Sequence, residues 1–394
     1  MKKYNHTIYA SYLGYITQAI VNNLAPLLFI IFMNQFGLSL REITAITTIN
    51  FAIQLIVDLL SAKFIDKIGY RISIVFAHIF AALGLIGMGT LPFIVPNAYI
   101  GVLIAVLFYA IGGGLIEVLI SPIVEACPSD NKATAMSLLH SFYCWGTVAV
   151  VGVSTIFLEI AGKDRWRWLT FLWAVLPIMN AIWFTKVPIE TLTEDGEGMT
   201  IRDLMKSKLF WLFVVLMIAA GASEQGMSQW ASAFAESGLH VSKFIGDLAE
   251  PCFFSILMGL ARAFYGKYGE RINLLKFIMG SAVLCIAAYC LASFSPNPII
   301  SLIGCGICGL SVGIMWPGVF SLASERMPKG GTALFALLAL GGDVGCSSGP
   351  TVVGFVSDIF GGALKKGLIF AVIFPVIMLL FSILLNSKKE GKLV

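Results

Sequence analysis

Three carboxylates lie inside long apolar stretches of the sequence, where a charged group is costly. They are Glu117, Glu224 and Asp343. A charge at the centre of a membrane helix costs about 2.5–3.5 kcal/mol on insertion scales, so a carboxylate kept there needs a compensating role. Since burial favours the neutral form of a carboxyl group, each of the three could take up and release a proton. The alternative is a structural partner for an arginine or a backbone group.

Two of the apolar stretches also carry polar side chains at helical spacing. Ser11, Tyr15, Gln18 and Asn22 recur at i, i+4, i+7 and i+11, which places them on one face of a helix. Hydroxyls and amides both donate and accept hydrogen bonds, which suits a neutral, polyhydroxylated ligand. Packing between helices is the other interpretation. The predicted ligand-binding residues are Tyr15, Gln18, Asn22, Asn23, Glu224, Gln225, Ser228, Gln229, Trp230 and Trp316.

The elements that position these residues must be membrane helices. Hydrophobic residues make up 58% of the 394 and charged residues only 12%, about half the charged fraction of a soluble domain. This composition predicts about twelve transmembrane helices of ~20 residues each. The stretch from 221 to 226 contains two glycines that would allow the seventh helix to break, as in the discontinuous helices of many transporters.

The sequence also excludes several classes of function. The net charge of +4 is small and its basic residues are scattered, so no nucleic-acid partner is expected. No G-x-x-x-x-G-K-[ST] phosphate loop occurs, and Gly112–Gly114 lies within an apolar helix with no strand before it. Cys305 and Cys308 have no second ligand pair, so we expect neither a metal nor a cofactor. No nucleophile, base and orienting group come together near one face, so we do not expect an enzyme.

Charge and polarity predict the topology. The one long polar interruption is 186–207, which we interpret as a cytoplasmic linker between an N-terminal six-helix bundle, 1–185, and a C-terminal six-helix bundle, 208–394. With both termini in the cytoplasm, 19 Lys and Arg residues lie inside and 7 outside. This bias fits the positive-inside rule and an inner, cellular membrane. The first apolar stretch lacks a cleavage site and is interpreted as a retained helix.

Similar loops recur 200 residues apart, as from Lys67 to Lys267. Each loop follows the second predicted helix of its half and carries a K-x-G-x-R pattern, and each half later has an E-x-x-P pattern. Basic side chains there could bond to carbonyl ends of helices or to the glutamates and so close one side, or they could only enforce topology. The predicted gating residues are Asp66, Lys67, Gly69, Arg71, Glu125, Lys267, Gly269, Arg271 and Glu325.

These features resemble the major facilitator superfamily over essentially the whole chain. Asp66, Gly69 and Arg71 are similar to its loop G-x-x-x-D-R-x-G-R-R, although Lys67 and Tyr70 replace two of the arginines. The resemblance implies an all-α integral membrane fold of twelve transmembrane helices in two pseudo-symmetric six-helix bundles around a central cavity. It also implies alternating access, with helices 1, 4, 7 and 10 of the twelve lining the cavity.

A local stretch also resembles the fucose permease branch of proton-coupled sugar importers. The match is Gly113 to Glu117, similar to that branch's G-x-x-E with its proton-coupling glutamate. Asn22-Asn23 and Pro26 resemble its Asn-Asp and following proline, but no carboxylate stands at the Asp position here.

We therefore expect a monomeric secondary transporter that moves a small polar solute, specifically a sugar, coupled to H⁺. The alternatives are a proton-driven exporter of drugs or metabolites and, from a different class, a non-transporting membrane sensor or enzyme. An exporter would need a larger, aromatic-lined cavity than the Gln, Asn and Ser content indicates.

Overall fold

The regular structure is helical throughout the described residues, which in this computed structural model are 4–192, 198–239, 243–361 and 363–390. Side chains are described for all of these except 40, 41, 44, 230–251, 298 and 388–390. Short 3₁₀ helices occur at Lys163–Arg165 and Gly269–Arg271. The α-helices, in chain order, are α1 (Asn5–Phe36), α2 (Leu40–Ile68), α3 (Tyr70–Ile94), α4 (Ala98–Ala126), α5 (Lys132–Ala161), α6 (Trp166–Phe184), α7 (Ile201–Lys206), α8 (Lys208–Leu239), α9 (Lys243–Tyr268), α10 (Leu274–Phe294), α11 (Pro298–Val312), α12 (Met315–Arg326), α13 (Gly331–Ile359), α14 (Leu364–Ala371) and α15 (Ile373–Glu390).

Eleven helical stretches within the described residues are long and apolar enough to cross a membrane. Two of them, Ile299–Arg326 and Leu364–Ser387, each combine two consecutive helices, α11 with α12 and α14 with α15. The one other long helix is α9, Lys243–Tyr268. The prediction of an all-α fold with about twelve membrane helices is therefore confirmed.

Polar residues cap the helices where the chain turns. Ser39 accepts a hydrogen bond from the backbone N–H of Glu42, whose side chain accepts one from the N–H of Ser39 at 2.8 Å. That second bond lowers the pKa of the exposed Glu42 carboxyl below its usual value. Asn97, Asn273 and Asn297 similarly accept backbone N–H bonds at the starts of α4, α10 and α11. These caps satisfy donors that the first helical turn leaves free.

Two of the membrane-crossing stretches, Ile299–Arg326 and Leu364–Ser387, are each interrupted once, and a proline follows each interruption. Proline alone does not interrupt a helix in this chain, because continuous helices contain Pro26, Pro92, Pro122, Pro177 and Pro350. In an α-helix the carbonyl of residue i accepts from the N–H of residue i+4. Pro317 stands four residues after Gly313, and Pro375 stands four residues after Ala371, so neither carbonyl has this donor. The interruptions are short: α11 ends at Val312 and α12 begins at Met315, whereas α14 ends at Ala371 and α15 begins at Ile373. The residues between them keep right-handed helical backbone angles.

The two glycines of the seventh span would have allowed a break, but α8 is continuous from Lys208 to Leu239. Its glycines serve close packing instead. A Cβ on Gly221 would overlap the carbonyl of Gly342 in α13, and a Cβ on Gly226 would lie 3.0 Å from the hydroxyl of Tyr289. Small residues of this kind let membrane helices approach closely.

The chain divides into two compact units. Unit 1 comprises Met1–Ser129, Phe142–Gly198 and Gly331–Ala336, and unit 2 comprises the remaining Asp130–Ser141, Met199–Gly330 and Leu337–Val394. The first turns of α5 thus belong to unit 2 and the first turns of α13 to unit 1.

In unit 1, glycines bring α3 and α4 into backbone contact. A Cβ on Gly84 would overlap the backbone of Tyr109, and a Cβ on Gly112 would overlap the backbone of Ala77 and Ala81. Backbone atoms cannot move aside as the end of a flexible side chain can. The Gly112–Gly114 run therefore acts as a packing surface for α3 at its first residue.

We expect Gly112→Ala to lower the thermal midpoint of the purified protein, because its methyl group must force α3 and α4 apart at a cost of about 1–3 kcal/mol. The matched control is Gly152→Ala in α5, where an added Cβ would meet no atom within 4 Å. There the gain in helix propensity should raise or leave unchanged the midpoint. Size-exclusion chromatography of detergent extracts after heating measures both variants. Equal midpoints for the two variants would contradict this packing argument.

Candidate functional site

Glu117 lies in a cluster of amide side chains within unit 1, which we call the amide cluster: Gln18 and Asn22 of α1, Asn50 and Gln54 of α2, and Glu117 of α4. Gln18 donates through Nε2 to Oε2 of Glu117 at 2.8 Å and to Oε1 of Gln54 at 3.2 Å. Gln54 in turn donates to Oδ1 of Asn22 at 3.0 Å, and Asn50 lies 3.5 Å from the same oxygen. One connected network therefore joins three helices to one carboxylate.

Glycines of α4 make room for this cluster. A Cβ on Gly113 would lie 3.1 Å from Oε1 of Gln18, and a Cβ on Gly114 would lie 3.0 Å from the side chain of Val57 in α2. Without side chains at these two positions, α1 and α2 reach α4 closely enough for Gln18 to bond to Glu117. The glycines that follow Gly112 thus serve the cluster rather than α3.

The amide cluster is buried and incompletely hydrogen-bonded. Gln18 is 1% exposed, Gln54 1% and Asn50 5%, whereas Glu117 is half-buried. Among the described residues, no partner lies within hydrogen-bond distance of Oε1 of Gln18 or Oδ1 of Asn50. A buried acceptor without a donor costs on the order of 1–3 kcal/mol. Both oxygens are therefore poised to accept a hydrogen bond from a hydroxyl or an N–H group.

The other predicted ligand residues of α1 turn to different partners. The hydroxyl of Tyr15 bonds to that of Ser121 in α4 at 2.8 Å. Asn23 donates to the carbonyl of Ala19 at 2.8 Å and lies 3.4 Å from the hydroxyl of Thr147. The structure therefore places Gln18 and Asn22 in the cluster and Tyr15 and Asn23 outside it.

Asn50 and Gln54 were not predicted from the sequence. They are one turn apart on α2, and Asp58 follows one turn later, so the three form a polar stripe in the otherwise apolar stretch 49–60 of this helix. The same i, i+4 spacing that singled out α1 could have identified them.

Glu224 of α8 lies in unit 2 beside a buried arginine that sequence reasoning missed. Arg262 of α9 is 3% exposed, and its Nη2 lies 3.4 Å from Oε2 of Glu224. Arg262 also donates through Nε to the carbonyl of Gly313 at 2.8 Å and through Nη1 to the carbonyl of His140 at 3.1 Å. A single Arg within the apolar run around 260–264 was the available signal.

The remaining predicted residues of α8 do not converge on Glu224. Gln225 and Ser228 are half-buried and Gln229 is exposed, whereas the side chain of Trp230 lies outside the described residues. The indole of Trp316 in α12 packs where a Cβ on Gly342 would stand and is 9% exposed. Asp343 follows this glycine in α13 and is half-buried.

The predicted gating loop 66–71 makes specific contacts within unit 1. The hydroxyl of Thr332 donates to Oδ1 of Asp66 at 2.6 Å and is itself hydrogen-bonded to the hydroxyl of Tyr70. Gly69 has a φ of +91°, a conformation that few residues other than glycine adopt, and it joins α2 directly to α3. Lys67 is exposed.

Arg71 makes the type of contact that the sequence predicted for basic side chains of these loops. It donates to the carbonyls of Phe184 and Thr185 at 2.9 and 3.0 Å, at the end of α6. Carbonyls at a helix C-terminus lack helical donors, so a cation is well placed there.

The second loop, 266–271, differs from the first. Lys267 lies over the ring of Tyr268 at 5.3 Å, and Gly269 is buried at the start of a 3₁₀ turn. Arg271 and Glu325 are exposed, whereas Glu125 is 9% exposed.

The ring of His78 is buried in the core of unit 1, and both of its nitrogens have a partner. Nδ1 lies 2.8 Å from the carbonyl of Ile74 and Nε2 lies 2.9 Å from Nδ2 of Asn180. This pattern fits a neutral ring that donates through Nδ1 and accepts at Nε2. Asn180 also donates to the carbonyl of Ala10, so the pair links α1, α3 and α6.

Two curated relatives match most of the chain. The membrane protein MosC of Rhizobium meliloti is 24% identical over 302 residues, which cover 77% of this chain and 72% of MosC. The probable nitrate transporter NarT of Staphylococcus epidermidis is 23% identical over 287 residues, 72% of each chain.

Two solved structures share the fold at low identity. The transporter FucP in its outward conformation superposes with a TM-score of 0.83 at 15% identity, covering 97% of this chain and 99% of FucP. The proton:xylose symporter XylE superposes with a TM-score of 0.84 at 13% identity, covering 98% of this chain and 96% of XylE.

The family model of the Major Facilitator Superfamily matches residues 11–350, which is most of the chain and includes both Glu117 and the Glu224–Arg262 pair. Together with the helical fold, this match shows an integral membrane protein with many spans that binds a small-molecule substrate. The chain belongs to the Major Facilitator Superfamily and is a secondary transporter, not an enzyme.

Proposed function

We propose that this transporter moves a small, neutral, polar solute, specifically a sugar, together with protons. The observation that carries the proposal is the hydrogen bond from Gln18 to Glu117 inside the amide cluster. Amides on both sides of Gln18 offer donors and acceptors at short range, which is the chemistry that recognises hydroxyl groups. The buried oxygens of Gln18 and Asn50 would gain their missing hydrogen bonds from solute hydroxyls.

Glu117 is the proposed proton-coupling group, because one hydrogen bond links its charge to the solute-binding amides. The Nε2 group of Gln18 donates to the carboxylate, and a hydrogen bond to a charged acceptor is stronger than one to a neutral acceptor. Protonation of Glu117 weakens that bond and frees Gln18 to bind the solute. Proton uptake and solute binding then favour one another, as symport requires.

A neutral solute is favoured over an anion at this cluster. NarT is a probable nitrate transporter, and nitrate is an anion. An ionised Glu117 would repel an anion, and the amides of Gln18, Asn22, Asn50 and Gln54 carry no positive charge to offset this repulsion. An anionic solute is therefore the alternative that the assay below can reveal.

The gate is proposed at the loops 66–71 and 266–271, with Asp66, Arg71 and Thr332 as its best-supported members. Their hydrogen bonds tie the start of α13 and the end of α6 to the junction of α2 and α3. We further propose twelve spans with α9 as the eighth, both termini in the cytoplasm, and a monomeric chain with bundles 1–185 and 208–394 joined by 186–207.

The first experiment measures external pH in a weakly buffered suspension of de-energised cells expressing the chain, after addition of single sugars, polyols, amino acids or organic acids. Proton symport predicts alkalinisation by one neutral solute. Alkalinisation by an organic acid alone would replace the sugar proposal with an anion, and silence across the panel with confirmed expression would contradict proton symport.

Glu117→Gln should abolish solute-induced alkalinisation, a loss of about 10²-fold or more, because the amide cannot carry the proton. Exchange of labelled for unlabelled solute without a pH gradient should persist, since glutamine keeps the shape of the site. The matched control is Glu159→Gln, the same change at an exposed position near the end of α5. Unaltered pH-driven uptake in Glu117→Gln would refute the coupling role.

Gln54→Leu should raise the KM for the solute about tenfold with a smaller change in kcat. The leucine keeps the volume but removes the bonds to Gln18 and Asn22, each worth about 0.5–1.5 kcal/mol. Asn34→Leu, at an exposed position of the same cluster-bearing unit, is the control and should leave KM unchanged. The initial rate of radiolabelled-solute uptake at increasing concentration gives the KM of both variants. Equal KM values for Gln54→Leu and Asn34→Leu would show that Gln54 of α2 does not bind the solute.

Thr332→Val should destabilise the protein by about 1–3 kcal/mol, because the methyl group replaces the hydroxyl that joins Asp66 to Tyr70. The control is Thr351→Val in the same helix, where the exposed hydroxyl bonds only to the carbonyl of Ser347 one turn earlier. The thermal midpoint in detergent compares them. If Thr332→Val melted no lower than the control, the proposed lock would contribute nothing to stability.

A further inference from the structure

The break between α11 and α12 leaves a backbone carbonyl that a side chain from another helix satisfies. Pro317 has no N–H to offer the carbonyl of Gly313, four residues earlier. Nε of Arg262 donates to that carbonyl at 2.8 Å. Water cannot donate to an unsatisfied carbonyl in the core of a membrane, so the guanidinium takes the place of the missing helical donor.

The same guanidinium is held by Glu224. Its Nη2 lies 3.4 Å from the carboxylate, so the charge of Arg262 is balanced within unit 2 rather than by solvent. The carbonyl of His140 accepts from Nη1, and the backbone carbonyl of Arg262 accepts from the hydroxyl of Ser137. One buried side chain thus joins α5, α8, α9 and the break in the tenth span.

We propose that Arg262 is a positioning residue that transmits the charge of Glu224 to the bend between α11 and α12. While Glu224 is ionised, it holds the guanidinium with Nε directed at the carbonyl of Gly313. When Glu224 is neutralised, by a proton on its carboxylate, the ion pair is lost and the guanidinium is free to leave that carbonyl. The carbonyl of Gly313 then loses the side-chain donor that the described residues give it, and the angle between α11 and α12 can change.

Other titratable groups surround the pair without replacing either member. The Tyr289 hydroxyl of α10 and the Cys308 thiol of α11 both approach the carbonyl of Ser223, the residue before Glu224. His140 of α5 meets Arg262 through its backbone carbonyl, and its ring lies 6.0 Å from the ring of Phe320 of α12 in a tilted arrangement. Arg262 is the cation among these groups, and Glu224 is the carboxylate that it contacts.

The proposal rests on the proposed transport function, but its test does not need a transported solute. Hydrogen exchange of the purified full-length protein, followed by mass spectrometry, reports on the peptide that spans 311–320. We expect Glu224→Gln to speed exchange of this peptide at least about threefold, although Glu224 is on a different helix. Peptides within 300–308 of α11 should be unchanged and serve as the internal reference.

Two further variants separate transmission from simple support. Arg262→Gln should speed the same exchange, and the double variant with Glu224→Gln should be no faster than Arg262→Gln alone, because both changes act through one contact. Pro317→Ala restores an N–H at position 317, so in its background Arg262→Gln should have little effect on the peptide. Glu270→Gln, an exposed position beyond α9, is the matched control for charge removal.

If Glu224→Gln left exchange at 311–320 unchanged while Arg262→Gln raised it, Arg262 would be a fixed cap and the proposed transmission would be wrong. The proposed transmission would also be wrong if the double variant exchanged faster than Arg262→Gln alone, by the full effect of Glu224→Gln. Should Arg262→Gln fail to fold, Glu224→Gln and Pro317→Ala, which keep the arginine, still decide the question. Absence of transport in the unaltered chain would count against the proposed function and not against this linkage.

Discussion

A polar group inside a bilayer must find its hydrogen-bond partner within the protein, and most of the described features follow from this constraint. The carbonyl of Gly313, which has no helical donor because residue 317 is a proline, accepts a hydrogen bond from Arg262, and Arg262 forms an ion pair with Glu224. The imidazole of His78 forms one hydrogen bond to a carbonyl of its own helix and another to the amide of Asn180. Each polar residue therefore fixes the position of at least one neighbouring helix.

Glycine is the second requirement, because a hydrogen bond between two helices forms only where the helices lie close together. Gly113 and Gly114 let α1 and α2 approach α4, so that Gln18 can reach Glu117. Gly226 leaves room for the hydroxyl of Tyr289, which donates to the carbonyl of Ser223 at 2.8 Å. The glycines in these helices thus allow close polar contacts, and α8 remains continuous through Gly221 and Gly226.

The fold could be predicted from the sequence because apolar length and charge bias are local properties. Glu117, Gln18 and Asn22 could be selected because they interrupt apolar helices at regular spacing. Asn50, Gln54 and Arg262 also interrupt apolar runs and could have been selected in the same way. What could not be predicted is that Gln54 meets Gln18 and Asn22 of α1 and that Arg262 meets the carbonyl of Gly313. Both depend on contacts between residues far apart in the chain, as with Arg262 and Gly313, which helical periodicity within one segment does not contain.

The similar loops lie 200 residues apart, as from Lys67 to Lys267, and this offset allows the amide cluster to be compared with the Glu224–Arg262 pair. By that offset Glu117 corresponds to Pro317, Arg262 to Ala62 and Gln18 to Ile218. The carboxylate of one half stands where the other half has a proline, and the guanidinium has no counterpart at all. The proposed proton-coupling carboxylate and the buried guanidinium therefore stand at positions that the 200-residue offset does not relate, and the two polar centres differ in their chemistry.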